Sequence, residues 1–423
     1  MTGYSGEMKP LRIAFCVYRG NPYSGGQGVY TKYLSHELAR RGHHVEVFSG
    51  QPYPDIDLAS VRLTKLPSLD LYRDEDPFRV PRLGEFGSLE DILEFAIMAS
   101  GGFPEPRSFG WRLEKSLDSR RDEFDLIHDN QSLSWSILRL ASKGWPVIGS
   151  IHHPITVDRE LAIKHARGLK AKFGALRWYG FVKMQTEVAS RLERVLTVSE
   201  ASRNDLLTHM KVELDRSRVV PIGVDTSVFR PISEIVKEPG LIVTTASADV
   251  PLKGLHVLVE AMAEVRTVRP AARLIIIGSP NRDSKLPARV AELGLENHVS
   301  FAGVVSQEEM VRLYGRAELA VVPSLYEGFS LPAVEAMACG IPLVATDGGA
   351  LPEVTGADGE TVLLARAGDP MNLAKKILEG LDSAMLREVI AKNALERVMS
   401  RFTWRETARM TEQNYLEVLA AHG

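Results

Sequence analysis

Short apolar runs alternate with amphipathic stretches along most of the chain, and this alternation limits the possible folds more than any other feature. In the first half the runs lie at 11–18, 44–50, 124–130, 146–153 and 194–200. Residues 28–43, between the first two runs, have apolar side chains at helical spacing and a stop at Gly42. Because strands that alternate with helices form parallel sheets, the pattern predicts a doubly wound α/β domain.

The same pattern restarts after the turn-rich segment 221–231. New apolar runs lie at 240–247, 272–279, 298–303, 317–324 and 341–347. We therefore expect two facing Rossmann-like domains with a cleft between them, at 1–220 and 232–400, and a C-terminal helix at 401–423 that packs back toward the first. Ligands of open α/β sheets bind beyond the carboxyl ends of the strands. The loops expected to line the cleft follow Tyr18, His152, Ser247, Gly278 and Ser324.

Composition narrows the class of protein. The chain has 423 residues, 44% of them hydrophobic and 25% charged, as in soluble globular proteins. A net charge of −3 gives no general attraction for nucleic acid. The two cysteines, Cys16 and Cys339, lie far apart in apolar surroundings and are expected to be reduced and buried. No apolar run approaches the roughly 18 residues that span a bilayer, and a cytoplasmic protein is expected.

The stretch SLYEGFSLPAVEAMACGIP at 324–342 carries the strongest chemical signal. Ser330 is placed to cap a helix over about 331–339, with Pro332 in its first turn and Gly340 at its end. A helix N-terminus binds anions such as phosphate through its unpaired N–H groups. The N–H groups of Phe329, Ser330 and Leu331 are expected to cradle a phosphate, and Gly328 is expected in the same binding site.

Two acids flank that helix start, Glu327 and Glu335. A glycosidase pair requires carboxyl groups about 5 to 10 Å apart, whereas eight residues along a helix span roughly 12 Å. A solvated helix residue is the plainer alternative for Glu335. A diphosphate with a sugar at each end fits the spacing better, because each acid then accepts hydrogen bonds from the hydroxyls of one sugar.

The motif EGFSLPAVEAMACGIPLVATDGGALPEV resembles the hallmark of the retaining glycosyltransferases of family 4 (glycosyl transferases group 1), which have the GT-B fold. Further similar segments follow the expected order. They are SGGQGVYTKYLSHELARRGHHVEVF, SIHHP, RVLTVSEASRNDL, VVPIGVDTSVFRP, LKGLHVLVEAM and RFTWRETARM. Residues 52–110 and 155–190 carry little of the likeness, and 52–110 is expected to be a variable insertion of the acceptor-side first domain.

The resemblance implies roles in binding a nucleotide-diphosphate sugar, the donor, in the second domain. Glu335 corresponds to the acid that binds the nucleotide ribose, and Glu327 to the one that binds a hydroxyl of the donor sugar. Lys253 matches the lysine that neutralises the pyrophosphate. Val305 falls where the family holds the base by backbone contacts, and the base is expected to be uracil or guanine.

In the first domain the resemblance points to Gly25, Gly26 and His152. The two glycines match a loop in which backbone approaches phosphate or the reacting sugar. His152 matches a histidine near the donor sugar and is expected to be catalytic together with Glu327 and Lys253. His153 is interpreted as a structural or acceptor-side residue.

The likeness has one gap, because Ser247 stands where the family carries an arginine before the lysine. Arg282 is a candidate substitute. The expected activity is transfer of a hexose to a hydroxyl acceptor, namely a glycan, a lipid or a small molecule. Retention would follow a front-face route in which the leaving phosphate deprotonates the acceptor. A catalytically weak sugar-nucleotide or glycan-binding protein is the alternative, and an epimerase lacks motif support.

No essential metal is expected. Asp55-Ile56-Asp57 superficially resembles the DxD metal motif of the other large transferase fold, but such acidic triplets are common in loops. A separate question concerns 161–186, a segment with six basic residues and no acid among them. As a helix it would carry a stripe of Leu169, Phe173 and Leu176, with Trp178 opposite. The segment is interpreted either as a peripheral contact with the inner face of an anionic membrane or as an ordinary surface helix.

Overall fold

The computed structural model describes residues 9–22, 26–73, 75–246, 250–280 and 284–422. The chain divides into two compact units. The first comprises Met1–Val198, Ser202–Val220 and Thr407–Gly423, and the second comprises Ser199–Ala201 and Pro221–Glu406. Each unit is built around one parallel sheet.

The sheet of the first domain has seven strands within the described residues, in the order β3-β2-β1-β4-β5-β6-β7. The strands are Arg12–Val17 (β1), His44–Ser49 (β2), Arg62–Lys65 (β3), Leu126–Asn130 (β4), Val147–Ser150 (β5), Arg194–Thr197 (β6) and Ser217–Val219 (β7). The five predicted runs became β1, β2, β4, β5 and β6. The two strands that the pattern did not predict, β3 and β7, form the edges of the sheet and are short and polar.

Helices accompany this sheet, as expected where parallel strands are joined by crossovers. They are Gln27–Arg40 (α1), Leu89–Ala99 (α2), Glu105–Leu117 (α3), Trp135–Ser142 (α4), Ile155–His165 (α5), Leu169–Trp178 (α6), Phe181–Arg191 (α7) and Glu200–Met210 (α8). The predicted helix at 28–43 is α1, which ends shortly before Gly42. The basic segment forms three helices rather than one, with a break at Gly168, whose φ is 85°.

The segment 52–110 is folded. It contributes β3, α2 and the start of α3, and its own small apolar cluster centres on Leu69, Leu71 and Tyr72. The Trp178 ring from α6 packs against this cluster, with its centroid 5.6 Å from that of Tyr72 and 5.3 Å from that of Phe103. The insertion is therefore anchored to the domain by aromatic contacts.

The sheet of the second domain has six parallel strands in the described part, in the order β10-β9-β8-β11-β12-β13. They are Leu241–Thr245 (β8), Arg273–Ile277 (β9), Val299–Gly303 (β10), Leu319–Val322 (β11), Leu343–Thr346 (β12) and Leu363–Ala365 (β13). The chain order of the strands reverses between β8 and β11. In open α/β sheets such a reversal marks the place where ligands bind.

Helices of the second domain lie between these strands and after the last one. They are Leu255–Val268 (α9), Leu286–Glu292 (α10), Gln307–Arg316 (α11), Leu331–Ala338 (α12), Leu351–Thr355 (α13), Pro370–Asp382 (α14) and Ala384–Arg401 (α15). The core of the domain is a continuous set of aliphatic side chains from β8, β9, α9 and α14.

Most of the last helix, Trp404–His422 (α16), belongs to the first unit. Glu412 pairs with Arg41, and its Oε1 lies 2.7 Å from the Nε2 of His43. Arg194 donates to Asn414 at 2.8 Å.

None of the helices in the described residues is long and apolar enough to cross a bilayer. Both cysteines are buried free thiols.

Candidate active site

Three of the predicted residues of the second domain lie in loops at the carboxyl edge of its sheet. Lys253 follows β8, Val305 follows β10, and Glu327 follows β11. The strands β8 and β11 are neighbours, so the loops that carry Lys253 and Glu327 leave the sheet side by side, at the point where the strand order reverses.

Lys253 and Glu327 contact each other directly. The Nζ of Lys253 lies 2.8 Å from Oε1 of Glu327. The same oxygen accepts a hydrogen bond of 2.7 Å from the Ser324 hydroxyl. Glu327 is only 8% exposed. Two donors on one oxygen fix the orientation of this buried carboxylate and offset much of the cost of desolvating it.

The two loops are also joined through their backbones. The N–H of Leu325 donates to the carbonyl of Leu252 at 2.8 Å. Gly254, whose φ is 65°, approaches so closely that a Cβ atom would lie 1.9 Å from the carbonyl oxygen of Pro323. Glycine is therefore required at 254, and Lys253 is held at a fixed position beside Glu327.

Two glycines in the loop after β12 support Glu327. The N–H of Ala350 donates to the Glu327 carbonyl at 2.8 Å. Gly349 has a φ of 63°, and a Cβ there would lie 2.4 Å from that carbonyl oxygen. A Cβ on Gly348 would lie 2.6 Å from the carbonyl oxygen of Leu325. The signal for this support in the sequence is the pair of glycines directly after a buried strand.

The helix α12 begins immediately beyond Glu327, with Ser330 at its N-cap. The predicted position of the cap is right, but the predicted capping bond is wrong: the Ser330 side chain makes none. The residue has a φ of 85°, which is strained for any residue but glycine. Its hydroxyl is buried and lacks a partner within the described residues.

The backbone at this helix start has unused donors. Within the part of the chain that the structure describes, no backbone hydrogen bond is formed by the N–H groups of Phe329, Ser330 and Leu331. Such a set of donors at the positive end of a helix suits an anion.

Glu335 lies in the second turn of α12 in a very different environment. Burial raises the pKa of its carboxyl group from 4.5 to about 7, because low-dielectric surroundings disfavour the charged form. No hydrogen bond or ion pair involves this side chain among the described residues. The side chain is only partly exposed, so its carboxylate is partly desolvated, and the described residues offer it no compensating partner.

Aromatic packing supports the loop that contains Glu327 and Phe329. The ring of Phe329 lies 5.7 Å from that of Phe402, in an edge-on contact. The guanidinium of Arg397 lies over Phe402 and donates to the carbonyl of Val354 at 2.8 Å. The RFTW segment therefore holds the loop that leads into α12.

In the first domain, His152 follows β5 at the carboxyl edge of that sheet. Its Nε2 lies 2.9 Å from Oδ1 of Asn130, and its ring packs edge-on against Tyr30 at 4.3 Å. Burial lowers the pKa of this imidazole to about 4.

Gly26 precedes α1 with a φ of 73°. The predicted or candidate residues that lie outside the described part of the chain are Gly25, Ser247 and Arg282.

A second buried histidine, His128 in β4, was not predicted. Its ring nitrogens lie 2.6 Å from the hydroxyls of Tyr415 and Ser150. Burial lowers the pKa of this imidazole to about 3. Both nitrogens have partners, so His128 is a structural residue. His153 pairs with Asp158 at 3.0 Å.

The acidic triplet after β2 makes local contacts. Asp55 pairs with Lys32 at 2.7 Å, and Asp57 accepts from the N–H of Ala59 at 3.0 Å. In the part of the chain that the structure describes, no group of three or more His, Cys, Asp or Glu residues is arranged to hold a metal ion.

Family models match both halves of the chain. Residues 24–228 match Glycosyltransferase Family 4, and residues 228–397 match Glycosyl transferases group 1. The chain is 45% identical over 411 residues to MMP alpha-(1->4)-mannosyltransferase of Mycolicibacterium hassiacum, covering 97% of this chain and 99% of the relative. It is 29% identical over 444 residues to D-inositol 3-phosphate glycosyltransferase of Acidothermus cellulolyticus, covering 97% and 91%.

Solved structures show the same fold. Sucrose-phosphate synthase from Thermosynechococcus elongatus has a TM-score of 0.70 at 24% identity, covering 97% of this chain and 99% of the solved one. Anabaena HepE in complex with UDP and glucose has a TM-score of 0.66 at 18% identity, covering 96% and 100%. The fold is GT-B, as predicted. The chain belongs to the group 1, family 4 glycosyltransferases, and it is a glycosyltransferase.

Proposed function

We propose that the protein transfers a hexose from a nucleotide-diphosphate sugar to a hydroxyl acceptor with retention at the anomeric carbon. The observation that carries this proposal is the Lys253–Glu327 pair beside the N-terminus of α12. A cation, a fixed carboxylate and unused N–H donors together match the groups of a sugar diphosphate.

Each group has a distinct task in the proposal. Lys253 and the N-terminus of α12 take the diphosphate and stabilise the charge that grows on it as the bond to the sugar breaks. Glu327 already uses Oε1 for Ser324 and Lys253, so Oε2 is the oxygen offered to a hydroxyl of the donor sugar. Glu335 takes the ribose hydroxyls, which provide the hydrogen bonds that its partly desolvated carboxylate lacks. Val305 holds the base through its backbone.

The proposed reaction follows the front-face route. The acceptor oxygen forms a bond to the anomeric carbon on the side from which the diphosphate leaves. The bond from that carbon to the phosphate oxygen breaks, and the acceptor proton passes to the leaving phosphate. The protein therefore acts by positioning the reactants and stabilising charge, and it needs no covalent intermediate.

We propose mannose as the transferred sugar, because the relative with 45% identity is an alpha-mannosyltransferase. The test is a thermal-shift panel of UDP, GDP and ADP with their mannose and glucose conjugates, followed by nucleotide release with candidate acceptors. GDP-mannose should give the largest shift, and the product should be the α-anomer by NMR. Donor binding without turnover on any acceptor would favour the sugar-nucleotide-binding alternative. Conversion of donor without acceptor would indicate an epimerase.

A peripheral membrane contact through 161–186 is a separate proposal, supported by α6. None of its residues is buried. Leu169 is 88% exposed and Phe173 65%, and both lie on one stripe of the helix with Leu176. Lys170 and Lys172 are also exposed. Since Trp178 packs inward, the stripe rather than the tryptophan would enter the interface of an anionic bilayer.

Liposome sedimentation tests this contact. Wild-type protein should be retained by anionic vesicles at low salt, and Phe173→Glu with Leu169→Glu should abolish retention. Val236→Glu is the matched control, because Val236 is 83% exposed in the second domain. If anionic vesicles fail to retain the wild-type protein at low salt, the proposal is wrong.

A further inference from the structure

A buried chain of hydrogen bonds links the first turn of α1 to His152. The Thr31 hydroxyl donates to the Gln27 carbonyl at 2.8 Å. The Nδ2 of Asn130 donates to the same carbonyl at 3.3 Å and to the Thr31 oxygen at 3.2 Å. A carbonyl can only accept, and the single hydroxyl proton of Thr31 is already used. The amide of Asn130 therefore has one possible orientation, with its nitrogen toward α1.

This orientation determines which nitrogen of His152 carries the proton. The Asn130 oxygen, which can only accept, lies 2.9 Å from Nε2 of His152. The proton must then be on Nε2. The ring is held by Tyr30, and the backbone N–H of His152 donates to the Gln131 side chain at 3.1 Å.

The other ring nitrogen, Nδ1, is left as a bare lone pair. It is buried and has no hydrogen-bond partner in the described part of the protein. A buried acceptor without a donor is costly, and a ligand hydroxyl would satisfy it. A second buried histidine, His128, shows the contrast, because both of its nitrogens are paired within the protein.

We propose that Asn130 is a positioning residue that fixes the proton of His152 on Nε2 and so presents Nδ1 as an acceptor to a sugar hydroxyl. This inference rests on the proposed transfer of a hexose. The hydroxyl belongs either to the donor sugar or to the acceptor, since both offer the same chemistry.

The surroundings keep the imidazole neutral. Tyr30 on α1 packs against the ring, His128 on β4 interacts with it electrostatically, and both are uncharged at neutral pH. Burial raises the pKa of Tyr30 to about 12 and lowers that of His128 to about 3. Wild-type His152 should therefore remain a neutral acceptor throughout the range in which sugar transfer is measured.

The direct test is the protonation of the His152 ring in Asn130→Asp. A carboxylate still accepts from Nε2, but its charge favours the imidazolium, in which Nδ1 also carries a proton and cannot accept. Long-range ¹H–¹⁵N spectra at pH 7, assigned with His152→Gln, should show a bare Nδ1 in the wild type and two protonated nitrogens in Asn130→Asp. A protonated Nδ1 in the wild type would overturn the inference. This readout does not depend on turnover, so it separates failure of the inference from failure of the proposed function.

Transfer from GDP-mannose supplies the second readout. Asn130→Asp should be about tenfold slower at pH 6.5 and should recover as pH rises, whereas the wild type should show no such recovery. Asn204→Asp adds the same charge at an exposed position on α8 and should leave the profile unchanged. An equal loss at every pH would mean a merely structural role and would contradict the proposal.

A further pair of variants guards against misfolding, and donor hydrolysis locates the hydroxyl. Asn130→Leu leaves Nε2 of His152 without an acceptor and should mix the two tautomers, while Thr31→Val leaves the Gln27 carbonyl to orient the Asn130 amide and should keep the wild-type spectrum. If Asn130→Leu keeps the wild-type tautomer, the hydrogen-bond chain does not set it. If Asn130→Asp slows hydrolysis of GDP-mannose by water as much as it slows transfer, the hydroxyl belongs to the donor. If only transfer is slowed, it belongs to the acceptor.

Discussion

The loop before α12 and the second turn of that helix each carry one glutamate, and the protein treats the two acids in opposite ways. Glu327 is held by Lys253 and Ser324 through one oxygen. Glu335 has no such partner in the described residues, and burial raises the pKa of its carboxyl group to about 7. One acid is thus fixed in place by the protein itself, which supports the proposal that the other takes its hydrogen bonds from the ligand.

This difference has an energetic meaning. A preorganised carboxylate costs little to position in the transition state, so its main effect should be on the rate of transfer. A partly desolvated carboxylate is unfavourable in the free protein, and in the proposed role ligand hydroxyls would relieve that cost, so its main effect should be on affinity. Variants of the two sites can therefore be told apart by which kinetic constant changes.

The largest effect is expected from Glu327→Ala. Loss of the fixed carboxylate also leaves Lys253 without its pair, and kcat should fall by about a thousandfold. Affinity for GDP should change by less than about fivefold, since the nucleotide does not depend on this side chain. Nucleotide release and calorimetric titration with GDP measure the two quantities. Comparable small changes in both would remove the distinction between the two acids.

Gly349→Ala should disturb the same carboxylate through its backbone. The new Cβ would lie 2.4 Å from the Glu327 carbonyl oxygen at a φ of 63°, so the loop must shift. We expect kcat to fall by about a hundredfold, because small misplacements at a site are costly. Gly359→Ala is the matched control: its φ is 77°, but nothing lies within 4 Å of its Cβ. An equal loss of activity in both variants would mean that backbone strain alone is responsible.

Glu335→Ala should act on donor binding. Loss of hydrogen bonds to a charged group should raise the Kd for GDP-mannose by about 10- to 100-fold, with a smaller change in kcat at saturating donor. Titration of the nucleotide sugar gives the first value and steady-state kinetics the second. If kcat falls as far as in Glu327→Ala while the Kd is unchanged, the roles of the two glutamates are reversed.

The features around Glu327 and Glu335 that depend on local sequence pattern can be predicted from the sequence. The strands β8 and β11 are continuous apolar runs, and the motif places Glu327 and Glu335 on either side of a helix start. The edge strand β13 has only three residues and lacks a pattern long enough to identify. Boundaries of α12 are close to those expected because Pro332 and Gly340 mark them.

Other features could not be predicted because they depend on tertiary contacts. That Ser324 and Lys253 share one oxygen of Glu327 follows from the approach of two loops whose residues 253 and 327 are 74 positions apart in the chain. The capping bond of Ser330 fails because a φ of 85° turns the backbone out of the extended geometry that a capping side chain needs. The orientation of Asn130 is likewise set by contacts with α1, which no local pattern reveals.

The smallest predicted effect is on the stability of the ligand-free protein. The pKa of Glu335 is higher in the folded state than the ordinary 4.5, so folding favours its protonated form, and stability is lost as pH rises from about 4.5 to about 7. Glu335→Gln removes this loss and should raise the free energy of unfolding by about 1 to 2 kcal/mol at pH 8. The upper limit is about 3 kcal/mol, which corresponds to the whole rise in the pKa of Glu335. At pH 4 both side chains are neutral and the gain should vanish.

Urea unfolding at the two pH values measures the difference between Glu335→Gln and the wild type. Glu327→Gln is the matched comparison, because it weakens an ion pair and should instead destabilise the protein at pH 8. A gain for Glu335→Gln that is equal at both pH values would contradict the partial desolvation of Glu335, and with it the proposal that this acid, unlike Glu327, takes its hydrogen bonds from the ligand.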